Sequence, residues 1–161
     1  MPVLDLYRGL NKMASSDEIL DTNQLANSYG LTLDEQGALE ILKARNRALR
    51  DHGRIELSVD PIKNIIKIFC TSPYIHQHNY VEVLNELIDI FYFCKNEIEE
   101  LMSDQELISQ MKEYFDKSCG GSLELLKNRE LMILIRDIRE QSLVEHNEEK
   151  ERKCWDGPKI Y

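Results

Sequence analysis

Apolar and polar positions follow helical spacing through most of this chain, and one stretch breaks that pattern by excess. Between Asn79 and Met102 the residues Leu87, Ile88, Ile90, Phe91, Tyr92, Phe93 and Cys94 form a solid apolar block inside an otherwise acidic segment. A helix lying on a surface keeps one polar face, so apolar residues around most of the circumference predict burial on several sides. The segment at about 79–102 is therefore read as the long central helix, with Leu84, Leu87, Ile88, Phe91 and Ile98 in the core. Start signals recur elsewhere. Ser15 with Glu18, Thr32 with Glu35, Asn79 with Glu82 and Ser103 with Glu106 each place a capping side chain three residues before a Glu. Asp60-Pro61 is a further start, and Gly30, Gly53, Pro73 and Gly120-Gly121 are stops. Helices are predicted near 3–13, 16–28, 33–52, 61–70, 79–102, 104–118 and 122–145.

One segment has a different period. Ile55, Leu57 and Val59 alternate with Glu56 and Ser58, the two-residue rhythm of a half-buried strand. A lone strand needs an extended partner: Val3–Leu6, the C-terminal Ile160 or a second copy. Without one it is an extended linker, the reading preferred here. The fold class is all-α: an irregular or orthogonal multi-helix bundle around the central helix, with one short extended segment near 54–59. The pattern gives a single helical domain over 1–144 and a charged tail over 145–161 that carries the only tryptophan, Trp155.

Composition narrows the class. At 161 residues the chain can bury a core without staples, and 30% charged residues are ordinary for a soluble domain. The net charge is -9, and between Glu82 and Glu106 eight carboxylates stand against Lys95 alone. Such a surface repels phosphate backbones and anionic lipid and favours basic partners or cations. No basic-then-apolar leader and no run of membrane-spanning length is visible. Cys70, Cys94, Cys119 and Cys154 show no paired spacing, and reduced thiols in the cytoplasm are the economical reading.

A set of short motifs carries a resemblance: Tyr29-Gly30-Leu31, Ala44-Arg45-Asn46, Gly53-Arg54-Ile55-Glu56, Ser72-Pro73-Tyr74, Phe91-Tyr92, Lys95-Asn96-Glu97, and Cys119 followed by Gly121-Ser122-Leu123. Over about 29–142 the chain resembles an uncharacterised family of small bacterial proteins that carries only a domain-of-unknown-function label. The resemblance implies a bacterial, cytoplasmic, mostly helical protein without an assigned activity, and it transfers no catalytic residue.

The sharpest oddity is Arg45-Asn46. On the predicted 33–52 helix the apolar stripe runs Ala38, Leu39, Leu42, then Arg45 and Asn46, then Leu49. A buried arginine must be paired, and Glu56, Glu86 and Asp89 are the expected carboxylate partners. The alternative is a guanidinium fork that grips an anionic ligand in an interhelical pocket. Lys43, Arg47, Arg50 and Arg54 make a basic helical stripe, but the acidic whole and the absence of interleaved aromatics argue against nucleic acid. No Glu-x-x-His pair occurs and His76 and His78 lack a third soft ligand, so no metal site and no cofactor are expected. Cys119 before Gly120-Gly121-Ser122 is a nucleophile candidate with a plainer reading as a packed residue beside two caps. Tyr74, Tyr80 and Trp155 complete the weak binding candidates. With no reaction motif, the sequence favours a non-enzymatic protein acting through protein contacts or self-association. The alternative is a small-molecule-binding or enzymatic helical domain centred on Arg45.

Overall fold

The structure is a computed structural model describing residues 15–155, with side chains described to Lys150. The helix expected at 3–13 and the side chain of Trp155 lie outside the described residues. Five long helices dominate: α1 (Glu35–Asp51), α2 (Asp60–Phe69), α3 (Tyr80–Ile98), α4 (Asp104–Asp116) and α5 (Leu131–Trp155). The architecture is all-α, with no strand among the described residues.

Local chemistry explains most boundaries. The helix expected over 16–28 breaks at Thr22, whose hydroxyl donates to the Ile19 carbonyl at 2.6 Å and competes with the helical ladder. α1 starts two residues later than Thr32 suggested, because Asp34 caps it by accepting from the Gly37 amide at 2.7 Å. Thr32 instead donates its amide to Gln77 Oε1 and accepts at its carbonyl from Gln77 Nε2. Asp60-Pro61 opens α2, and Ser103 caps α4 through the Glu106 amide. α2 buries Ile62, Ile65, Ile66 and Phe69, a single amphipathic face.

α3 is the hub, packed against α1, α2, α4 and α5. Leu84, Leu87, Ile88, Phe91 and Ile98 are all buried there. The α1–α3 contact is close because Gly37 faces Val81, where an added Cβ would stand 3.1 Å from the valine methyl. α3 is not the longest helix: it has 19 residues against 25 in α5. It ends at Ile98 rather than 102 because Glu99 turns the chain with φ 53°, a conformation that is strained for a non-glycine residue.

Gly120 and Gly121, both at positive φ, close α4, and Ser122 caps the next turn through the Leu125 amide. A π-helical turn, Leu126–Glu130, then leads into α5. α5 buries Leu131 and Ile135 and continues as one helix past the composition change at 144.

Candidate functional site

Helix α1 carries Arg45 on its buried side, next to Ala44, Ala48 and Leu49. Arg45 as a whole is 7% exposed. Its partners are not the carboxylates expected from the sequence. Nη2 donates to the main-chain carbonyls of Glu56 at 2.5 Å and Ser58 at 3.1 Å, and Nη1 donates to Asn46 Oδ1 at 3.0 Å. Glu86 and Asp89 sit on the exposed side of α3 and make no bond to it. The reason is local. Segment 54–59 is neither helix nor strand, so its carbonyls have no ladder to join, and buried carbonyls need donors. A planar guanidinium supplies several in fixed directions.

The clamp also shapes the chain. Carbonyls two residues apart on a flat strand are roughly 6.6 Å apart. One nitrogen 2.5 and 3.1 Å from both oxygens cannot span that distance. The segment is therefore curled round the guanidinium, and the strand reading gives way to a bent linker.

A second anchor holds the same segment. Tyr92 donates its hydroxyl to Glu56 Oε2 at 2.7 Å, and Lys95 Nζ donates to Glu56 Oε1 at 2.6 Å and to Asp104 Oδ2 at 3.1 Å. Lys95 Nζ also stands 5.7 and 5.9 Å from the ring centroids of Phe91 and Tyr92. Arg54 adds a looser contact at 3.8 Å. Burial pushes the Glu56 pKa up, but the hydrogen bonds from Lys95 and Tyr92 and the charges of Lys95 and Arg54 outweigh it, leaving the carboxyl below its ordinary value. Burial, then the Glu56 bond and charge, raise the Tyr92 hydroxyl.

The two anchors invert the alternation that the sequence displays. Glu56 points inward, while Ile55 and Leu57 are 91% and 96% exposed. Only Val59 of the three apolar residues is buried.

A pH dependence follows from Glu56. Its folded-state pKa lies below the unfolded value, so its contribution to stability is complete above the unfolded value and disappears as pH falls through the folded one. The wild-type chain should lose thermal stability on acidification, and Glu56→Gln should flatten that loss while starting from a lower midpoint near neutrality. Parallel acid profiles of the two proteins would remove Glu56 from the account.

The other sequence candidates scatter. Asn46 is joined to Arg45, and its exposed side borders a shallow hollow of about 360 Å³ lined by Leu39, Leu42, Lys43, Arg47 and Arg50. Tyr74 is exposed and meets the Phe115 ring edge-on at 6.1 Å. Tyr80 is buried in the core; its hydroxyl has no partner among the described residues, and burial followed by the nearby Cys70 raises its pKa. Neither Tyr74 nor Tyr80 lines the hollow beside Asn46. Cys70, Cys94 and Cys119 are buried, and burial, assisted by Glu97, pushes the Cys94 thiol up to about 12. His76 and His78 stack on each other, with centroids 5.6 Å apart.

Sequence reasoning missed Tyr92, Lys95 and Asp104 as a set, and the outward turn of Ile55 and Leu57. The available signal was a single lysine and a tyrosine hydroxyl inside an acidic and apolar helix, each needing a buried or half-buried partner.

The match to a family model now has a structural frame, since residues 18–143 take in every element from the first helical turns to the body of α5. The chain belongs to a family of unknown function, DUF6323. The matched region starts before the stretch of about 29–142 that carried the resemblance and ends almost where that stretch does. Arg45, Ile55, Glu56, Leu57, Tyr92 and Lys95 all lie inside it. No curated protein and no solved structure matches the chain. Among the described residues, no helix is long and apolar enough to cross a membrane.

Proposed function

We propose that this DUF6323 member is a non-enzymatic, protein-contact module of the bacterial cytoplasm that works by presenting Ile55 and Leu57 to a partner. One observation carries the reading. Two sets of buried polar groups, Arg45 on the main chain and Tyr92 with Lys95 on Glu56, hold a short segment whose apolar side chains face solvent. Large apolar side chains at full exposure on a fixed backbone are the anchors that protein interfaces use, because little conformational freedom is lost when they are covered. The competing reading, an anion gripped by Arg45, has less support, since both Nη atoms are already engaged by oxygens of the same chain, and only the buried Nε has no partner among the described residues.

The test is site-specific photocrosslinking in cells with a benzoylphenylalanine at position 57, and at exposed Glu124 as the control position. The expected result is discrete protein adducts from position 57 alone. Equal adduct yields from the two positions would reject the reading. The companion variant Ile55→Ser with Leu57→Ser should melt within about 0.5 kcal/mol of wild type, as exposed positions do, so that any loss of adducts reports on the surface and not on folding.

A further inference from the structure

The hollow on α1 has a chemistry that the presentation of Ile55 and Leu57 does not use. Lys43, Asn46, Arg47 and Arg50 line it, all four exposed, and Leu39 and the buried Leu42 are its apolar part. Positions 43, 46, 47 and 50 follow the i, i+3, i+4, i+7 spacing of one helix face. Among the described residues none of the three cations forms an ion pair, with Glu40 or Asp51 on α1, with Asp89 on α3 or with any other acid. Burial raises the Asp89 carboxyl, and the charge of Arg47 offsets this only in part. Like charges spaced this way destabilise a helix when nothing neutralises them. The helix dipole favours a cation in the last turn, which accounts for Arg50 but not for Lys43, two turns further in.

Asn46 completes a wall of donors. An arginine donates and never accepts, so the amide oxygen of Asn46 must be the end that faces Arg45, and Nη1 donates to it at 3.0 Å. That leaves Nδ2, without a partner among the described residues, as the end Asn46 offers to the hollow it lines. Arg45 is itself held by the Glu56 and Ser58 carbonyls, so the buried clamp sets the direction of this amide. Two guanidiniums, an ammonium and an amide NH2 thus meet at one hollow, and the single side-chain acceptor among them is already taken.

We propose that this hollow binds a compact phosphate-bearing molecule, whose phosphoryl oxygens accept from Arg47, Arg50, Lys43 and the Asn46 amide. Arginine forks match phosphate oxygens in pairs. A phosphoryl group offers three strong acceptor oxygens and close to two charges, which suits four donors better than a carboxylate does. The volume, about 360 Å³, is at the small end of the range for small-molecule sites. Net charge selects for a compact ligand. In a chain of -9, a nucleic acid or an anionic membrane would bring further charges against the acidic remainder. A small anion stays within the hollow, and salt screens the more distant acids over about 8–10 Å.

Isothermal titration of the full chain tests this with inorganic phosphate, inorganic pyrophosphate and phenyl phosphate, each against sodium chloride of equal ionic strength. The expected result is saturable one-to-one binding, with a raised melting midpoint that sodium chloride does not reproduce. Tighter binding of phenyl phosphate than of inorganic phosphate assigns an organic ester to the site; the reverse order assigns the free anion. Arg47→Gln and Arg50→Gln should each weaken binding about tenfold or more, the weight of a charged hydrogen bond. Asn46→Asp is the sharper variant. Its carboxylate still accepts from Arg45 and keeps the clamp, but an anionic oxygen replaces the NH2 donor. Binding should be lost while the free protein keeps the wild-type circular dichroism and melting midpoint. Lys117→Gln, which removes an exposed cation at the end of α4, should leave the affinity unchanged. Absence of saturable binding by all three probes at millimolar concentration overturns the proposal. So does binding that Asn46→Asp and both arginine variants leave intact, or that Lys117→Gln weakens as much as they do. None of these outcomes bears on crosslinking from position 57.

Discussion

Arg45→Met is expected to lower unfolding stability by about 2–3 kcal/mol, because it removes a charged donor from two carbonyls that have no other partner among the described residues. At this chain size the loss corresponds to roughly 5–10 °C in melting midpoint. Methionine fills much of the volume, so the effect reports on hydrogen bonding more than on a cavity. Arg45→Lys should recover little, since an ammonium on a flexible stem cannot hold the Glu56 and Ser58 carbonyls and Asn46 together. The segment should also loosen before the molecule unfolds: tryptic cleavage after Arg54 should be faster in Arg45→Met under native conditions. Urea melts of the three proteins together with a proteolysis time course check this. Midpoints within experimental error of wild type, with unchanged cleavage, would show that the clamp holds nothing.

Gly121→Ala is expected to cost about 2–5 kcal/mol. Gly121 sits at φ +84°, and an added Cβ would lie 2.5–2.7 Å from Cγ, Cβ and Cδ1 of Tyr74. A left-handed conformation costs an L-residue roughly 1–2 kcal/mol, and overpacking adds about 1–3 kcal/mol. The clashing atoms are the base of the tyrosine side chain, so rotation of the ring tip relieves nothing. Gly120→Ala isolates the backbone share, because Gly120 is at φ +57° with nothing within 4 Å of the added carbon. The double variant Gly121→Ala with Tyr74→Ala should return only part of the steric share, because it removes Cγ and Cδ1 but keeps the Cβ at 2.7 Å, whereas Tyr74→Gly should return most of it. Thermal melts showing equal losses at positions 120 and 121 would contradict the packing argument.

Much of the fold was legible in the sequence because it rests on local rules. The amphipathic face of α2, the proline start at Asp60-Pro61, the caps at Ser103 and Ser122 and the apolar block of α3 depend on residues within a few turns of one another. The boundaries that failed depend on competition between neighbours. Asp34 took the cap that the Thr32–Glu35 spacing predicts, Thr22 turned its hydroxyl back on the helix before it, and Glu99 adopts a strained turn on the way to α4.

The candidate site divides along the same line. That Arg45 lies on a buried stripe and needs a partner is a property of α1 alone, set by helical period and the cost of an unpaired buried charge. Which partner it takes is not local. A guanidinium accepts any oxygen within reach, and Glu56 offers both a carboxylate and a carbonyl. The choice fell to the main chain because Tyr92 and Lys95, far along the sequence on α3, claim the carboxylate. With Glu56 drawn inward, the alternation of Ile55, Glu56 and Leu57 had to turn its apolar side out. Sequence by itself determined the helices, the buried arginine and the apolar hub; the tertiary structure decided which groups meet and which face of segment 54–59 sees water, because a period of two fixes only that neighbouring side chains point apart, and the long-range contacts select the side.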